Sequence, residues 1–123
     1  MMKTLLALFA TLVIGCSGGT EVCSGDNCVC NGDCALSCDD GAPNCHVQGD
    51  LGKAVDVSCS NNAECHVECA QASSCAVDCG GSTECHVTCP ASGCEVTSCT
   101  GDCIVTCGID GTATMSGTTA TCP

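Results

Sequence analysis

The residues able to do chemistry in this 123-residue chain are its 19 cysteines and 3 histidines. They recur in register: Glu64-Cys65-His66-Val67-Glu68-Cys69 and Glu84-Cys85-His86-Val87-Thr88-Cys89 repeat one word, and Asn44-Cys45-His46-Val47-Gln48-Gly49 precedes them at the same spacing of twenty residues. Thiols in such a pattern can hold metal ions as thiolates, exchange electrons as dithiols, or close as disulfides. Zinc clusters favour Cys-x-Cys or Cys-x-x-Cys, which bring two thiolates to one ion. Cys28-Val29-Cys30 is the single doublet of the first kind, and the chain has no Cys-x-x-Cys, the usual dithiol redox motif. The pattern therefore predicts disulfides.

Within a word, cysteine and valine alternate with His, Glu, Thr or Asp, the period of two expected of a strand with one buried face. Cys65 and Cys69 on one extended word lie about 13 Å apart and cannot bond. The last cysteine of one word and the first of the next flank a short turn, which brings them within reach. This predicts Cys28–Cys34, Cys38–Cys45, Cys59–Cys65, Cys69–Cys75, Cys79–Cys85, Cys89–Cys94 and Cys99–Cys103, with Cys23–Cys30 and Cys107–Cys122 closing the two ends. Gly49 and Val55 stand where the next unit has Cys69 and Cys75, so one pair is lost as a pair. Bonds within a coil, such as Cys45–Cys59 and Cys65–Cys79, satisfy the same test, and both connectivities stay open.

The segments between words, Ser60-Asn61-Asn62-Ala63, Gly80-Gly81-Ser82-Thr83 and Pro90-Ala91-Ser92-Gly93, have turn composition, and no helical periodicity is present. Short strands that match every second time indicate an all-β, disulfide-stapled β-solenoid with twenty-residue coils, each of two strands. Stacked coils would set His46, His66 and His86 above one another at about 4.8 Å; an antiparallel β-meander, the alternative, would separate them by about twice that. Cysteine-stapled insect antifreeze solenoids resemble this chain in strategy, but their words differ and no function carries over. Ice binding would require a column of threonines, and the partial column of Thr88 and Thr106 is interrupted by Glu68 and Gln48.

By alternation the three histidines face outward, beside Glu64 and Glu84. Imidazoles one rung apart, completed by a carboxylate, could share Zn²⁺ or Cu²⁺; the expected set is His66 and His86 with Glu64 and Glu84, and His46 extends the column. Against this stands duplication of an exposed residue with its repeat, since Ile104 occupies the next place. A flat ladder offers no cleft for Ser-His-Asp or paired-carboxylate catalysis, so no enzyme and no obligatory cofactor are expected.

The chain contains 14 acidic side chains against Lys3 and Lys53, a formal charge of −12. Nucleic acid and anionic lipid headgroups are excluded as partners on charge. Residues 1–15 carry Lys3 and then an apolar run from Leu5 to Gly15, too short to span a bilayer but suited to export. Val13-Ile14-Gly15-Cys16 resembles the lipobox of bacterial lipoproteins. The resemblance covers residues 1–17 and implies cleavage before Cys16, diacylation of its thiol, and anchoring in a membrane; Ser17 points to the outer membrane. Loss of residues 1–15 would leave Lys53 as the single base, for a charge of −13. The sole Phe, Phe9, would go with them, so the mature chain has no aromatic core and depends on covalent staples.

The expected organisation is a signal at 1–15, a lipidated cysteine and tether at 16–22, a cysteine-rich first coil at 23–43, a repeat body at 44–107 and a cap at 108–123. The expected role is a non-catalytic structural or interaction module, anchored to the membrane by its lipid, with a protein or cation partner; metal capture by the histidine column is the alternative.

Overall fold

A computed structural model describes residues 21–23, 27–38 and 42–122 of the protein. The expected signal, Cys16 and most of the tether lie outside the described residues. The described chain is all β and winds as a solenoid. Strands β1 (Glu21–Cys23), β3 (Cys34–Cys38), β5 (Ala54–Ser58), β7 (Ser74–Asp78) and β9 (Cys94–Thr97) stack on one side. Strands β2 (Asn27–Val29), β4 (Asn44–Gln48), β6 (Glu64–Glu68), β8 (Glu84–Cys89) and β10 (Asp102–Cys107) stack on the other. Neighbours within these two stacks run parallel, and Cys65 pairs with Cys45 below and Cys85 above, at the twenty-residue interval of the words. That register rules out the meander, whose adjacent strands would be antiparallel.

Alternation sets the core. Val47, Val67 and Val87 from one sheet face Val57, Val77 and Val96 from the other, all buried, and cysteines fill the two corners where the sheets meet. Small side chains suffice because the sheets are joined by turns of only a few residues. The last strands reverse direction: β11 (Gly111–Thr112) pairs antiparallel with β10, and β13 (Thr119–Cys122) pairs antiparallel with β9 and with β12 (Thr114–Ser116). Ala120, fully buried, places its methyl in the valine column opposite Val96.

The sulfurs pair across turns. The structure bonds Cys38–Cys45, Cys59–Cys65, Cys69–Cys75, Cys79–Cys85, Cys89–Cys94, Cys99–Cys103 and Cys107–Cys122, with Cα–Cα distances between 5.5 and 6.3 Å. The N-terminal coil departs from expectation. Cys34 bonds Cys30 at a Cα–Cα distance of 5.6 Å, which replaces both Cys28–Cys34 and Cys23–Cys30; Cys28 is also disulfide-bonded. The reason is register. Cys28 pairs opposite Val47, so Cys28 and Cys30 point inward while Val29 turns out to solvent. The Cys30 N–H donates to the Gln48 carbonyl at 2.9 Å, as the Gly49 N–H does to Glu68 at 2.8 Å, so Cys30 occupies the end of its word and faces the next turn.

At the corner where Gly49 and Val55 stand in place of two cysteines, carboxylates tie the turns together. Asp50 Oδ2 accepts from the Gly32 N–H, and Asp33 Oδ1 accepts from the Ala54 N–H, both at 2.9 Å.

Candidate functional site

The outward side chains of β4, β6, β8 and β10 form three columns set by the strand register. The first is Asn44, Glu64, Glu84 and Asp102; the second is His46, His66, His86 and Ile104; the third is Gln48, Glu68, Thr88 and Thr106. Each rung is one strand spacing above the last because the backbone ladder allows nothing else. The rings follow it: His46 and His66 centroids are 4.7 Å apart and tilted by 35°, and His66 and His86 are 4.6 Å apart and tilted by 31°. At the N-terminal end Asn27 pairs opposite His46 and continues the second column.

All three imidazoles are half-buried. Stacking covers their faces, and His46 Nε2 and His66 Nε2 are shielded from solvent with no hydrogen-bond partner. An unmet polar atom of this kind costs about 1–3 kcal/mol. Burial pushes the His66 imidazole below its ordinary range, and the His86 and His46 rings on either side add to the effect; Glu64 and Glu84 pull the other way. Burial wins because the charged ring would lose water on both faces while the carboxylates remain partly solvated. His66 is thereby held neutral, the protonation state in which a ring nitrogen can accept a hydrogen bond or a metal.

One carboxylate joins this ladder closely. A ring nitrogen of His46, a ring nitrogen of His66 and a carboxylate oxygen of Glu64 all lie within 4.8 Å of one another. Asn44 supports it: with its amide oriented to suit its neighbours, the nitrogen donates to the Pro43 carbonyl at 3.0 Å and to Glu64 Oε2 at 3.1 Å. Glu84 and His86, expected as ligands with Glu64 and His66, do not enter this group. The converging set is one rung nearer the N-terminus. Asn44 is the signal for that placement, since it is the one member of the first column whose side chain is able to donate a hydrogen bond to the carboxylate beside it.

An open groove of about 340 Å³ runs along the third-column side of the ladder, lined by His46, His66, Gln48, Glu68, Asn27 and Val29 among others. A second depression, on the first-column side, is bounded by Asn44, Ala63, Glu64, Thr83 and Glu84. The remaining groups of metal-ligating residues among those described are cysteines already closed as disulfides. Comparison of the chain with protein-family models, with curated proteins and with solved structures returns no match.

Proposed function

We propose that the protein is an exported, lipid-anchored, non-catalytic module that holds a rigid acidic face outward for binding. The observation that carries this reading is the outer surface of β4, β6, β8 and β10: polar columns in strict register on a frame crosslinked at nearly every turn. Disulfide density of this order belongs to oxidising compartments, which agrees with the apolar leader and the Gly15-Cys16 junction. The functional surface is a flat sheet face with shallow grooves, a geometry suited to holding a cation or a partner surface and unsuited to excluding water around a reaction.

The test is expression of the full chain in a Gram-negative host fed an alkyne-bearing fatty acid. The expected result is a labelled protein in the outer-membrane fraction, with label lost on Cys16→Ser, and no thiol open to alkylation before reduction. An unlabelled soluble product, or several reactive thiols on the native protein, overturns the reading.

A further inference from the structure

We propose that His46, His66 and Glu64 form a binding site for one divalent transition-metal ion of the zinc and copper class. Three donors of the right kind, two imidazole nitrogens and one carboxylate oxygen, already lie within 4.8 Å of one another. Zn²⁺ and Cu²⁺ take imidazole nitrogen at about 2.0–2.1 Å and carboxylate oxygen at about 2.0–2.2 Å. In the tetrahedral arrangement zinc prefers, such donors lie about 3.4 Å apart. Donors within 4.8 Å of one another have to close by up to about 1.4 Å, a shift that rotation of the His46, His66 and Glu64 side chains has to supply.

A separate observation points to a ligand. Two rungs of this ladder bury an imidazole nitrogen with nothing to bond to, His46 Nε2 and His66 Nε2. Polar atoms so placed in native proteins normally have partners, and a metal ion satisfies a neutral imidazole nitrogen as a hydrogen-bond donor would. The Asn44 amide supplies the outer support that metal-binding carboxylates usually have, by holding Glu64 Oε2 at 3.1 Å. At the next rung up, Glu64 and Glu84 sit opposite each other in the ladder, so two like charges adjoin where the lower rung has an amide and a carboxylate. Rigid parallel strands fix the imidazole spacing, and three protein ligands leave a further position open for water or for a donor from another molecule. That arrangement suits capture and release of the ion. Metal held only to stabilise a fold is normally closed in by four protein ligands, and here the disulfides already do that work.

The test is calorimetric titration of Zn²⁺, and separately Cu²⁺, into the oxidised, metal-stripped full chain at pH 7, with Mg²⁺ and Ca²⁺ as comparison ions. Intact mass after alkylation verifies that each variant keeps its disulfides. We expect one Zn²⁺ or Cu²⁺ per chain, at least thirtyfold weaker binding in His46→Ala and in His66→Ala, about tenfold weaker binding in Glu64→Gln, and less than a threefold change in His86→Ala. Absence of binding at millimolar metal overturns the site. So does equal binding of Mg²⁺ or Ca²⁺, which prefer all-oxygen ligands and would mark a general acidic surface. Binding unaffected by His66→Ala, or lost as fully in His86→Ala as in His46→Ala, overturns this ligand set.

Discussion

Asn62 shows how much a single turn residue can carry in a chain with so little apolar bulk. Its side chain is 1 % exposed; Oδ1 accepts from the Ser60 N–H at 2.9 Å, and Nδ2 donates to the Ala42 carbonyl one coil below at 3.0 Å. It closes its own turn and also holds the turn beneath. Removing it would leave a part-buried donor and a part-buried acceptor, the Ser60 N–H and the Ala42 carbonyl, unmet, so Asn62→Ala should lower stability by about 1–3 kcal/mol. Denaturant unfolding of the oxidised protein measures this, and an unshifted midpoint would refute it. In the sequence, Ser60-Asn61-Asn62-Ala63 is recognisable as a turn, but the inward direction of Asn62 is not. The alternation that separates inside from outside along a strand stops at a turn, and two adjacent asparagines look alike. The equivalent place one coil on is Ser82, whose Oγ is buried and unpartnered. There the turn is shaped instead by Gly80, at φ 57°, where any Cβ would run into the Cys59 carbonyl oxygen. The histidine positions were legible because they lie on strands, where register makes a column inevitable. The grouping of His46 with Glu64 was not, because it depends on how one amide, Asn44, turns its side chain.

Among the elements, the turn from Gly49 to Val55 is the informative exception. Val55 pairs opposite Cys75, and Gly49 makes the backbone bond to Glu68 that Cys69 makes to Thr88, so the two stand where the next coil has a disulfide. The valine occupies the space the sulfurs would fill, and a Cβ on Gly49 would come within 2.7 Å of Val55 Cγ2. Glycine is required there because valine is present, and the pair changes together or not at all. The double change Gly49→Cys with Val55→Cys should therefore complete the corner. A seven-residue loop closed by a disulfide contributes about 2 kcal/mol, which thermal unfolding under oxidising conditions would register as a higher midpoint; an unchanged or lowered midpoint would show that the corner cannot take sulfur. The loss of this pair as a unit could be read from the words alone. The N-terminal pairing could not. Cys28 and Cys30 lie two residues apart and face the same way, and the ladder sets Cys28 opposite Val47 and leaves Val29 outside, so that Cys30 and not Cys28 stands at the turn to Cys34. A slip of two residues keeps every side chain on its own face, so alternation alone does not declare which register so short a strand as β2 takes.

In the whole molecule the disulfides and the strands divide the work between them. Most bonds span separations of only 4 to 7 residues, and Cys107–Cys122, at 15, is the longest of those described. They fix the corners within a coil and its turn, while backbone hydrogen bonds and the valine columns join coil to coil. Each short loop contributes about 2 kcal/mol; several together match the 5–15 kcal/mol by which ordinary domains are stable. Full reduction should therefore abolish the fold. Loss of the far-ultraviolet β signal on addition of a dithiol reductant is the expected outcome, and a reduced protein that keeps its sheet signal would show that the valine columns suffice alone. The overall plan, parallel coils stapled at the corners, was written in the twenty-residue spacing of the words. The reversal at the C-terminus was not, because Thr112 to Ser116 carries strand-forming residues without the cysteines that mark direction elsewhere.

That reversal gives the molecule a fixed terminus, while β4, β6 and β8 superpose at intervals of twenty residues. Copying the segment 64–83 in place would lengthen the rod by about 4.8 Å, one graduation on a ruler, and would add one imidazole to the row while leaving both extremities as they are. Length and the number of stacked imidazoles thus rise together in whole steps, and a gene encoding such a protein can extend the row by duplication without inventing a new surface.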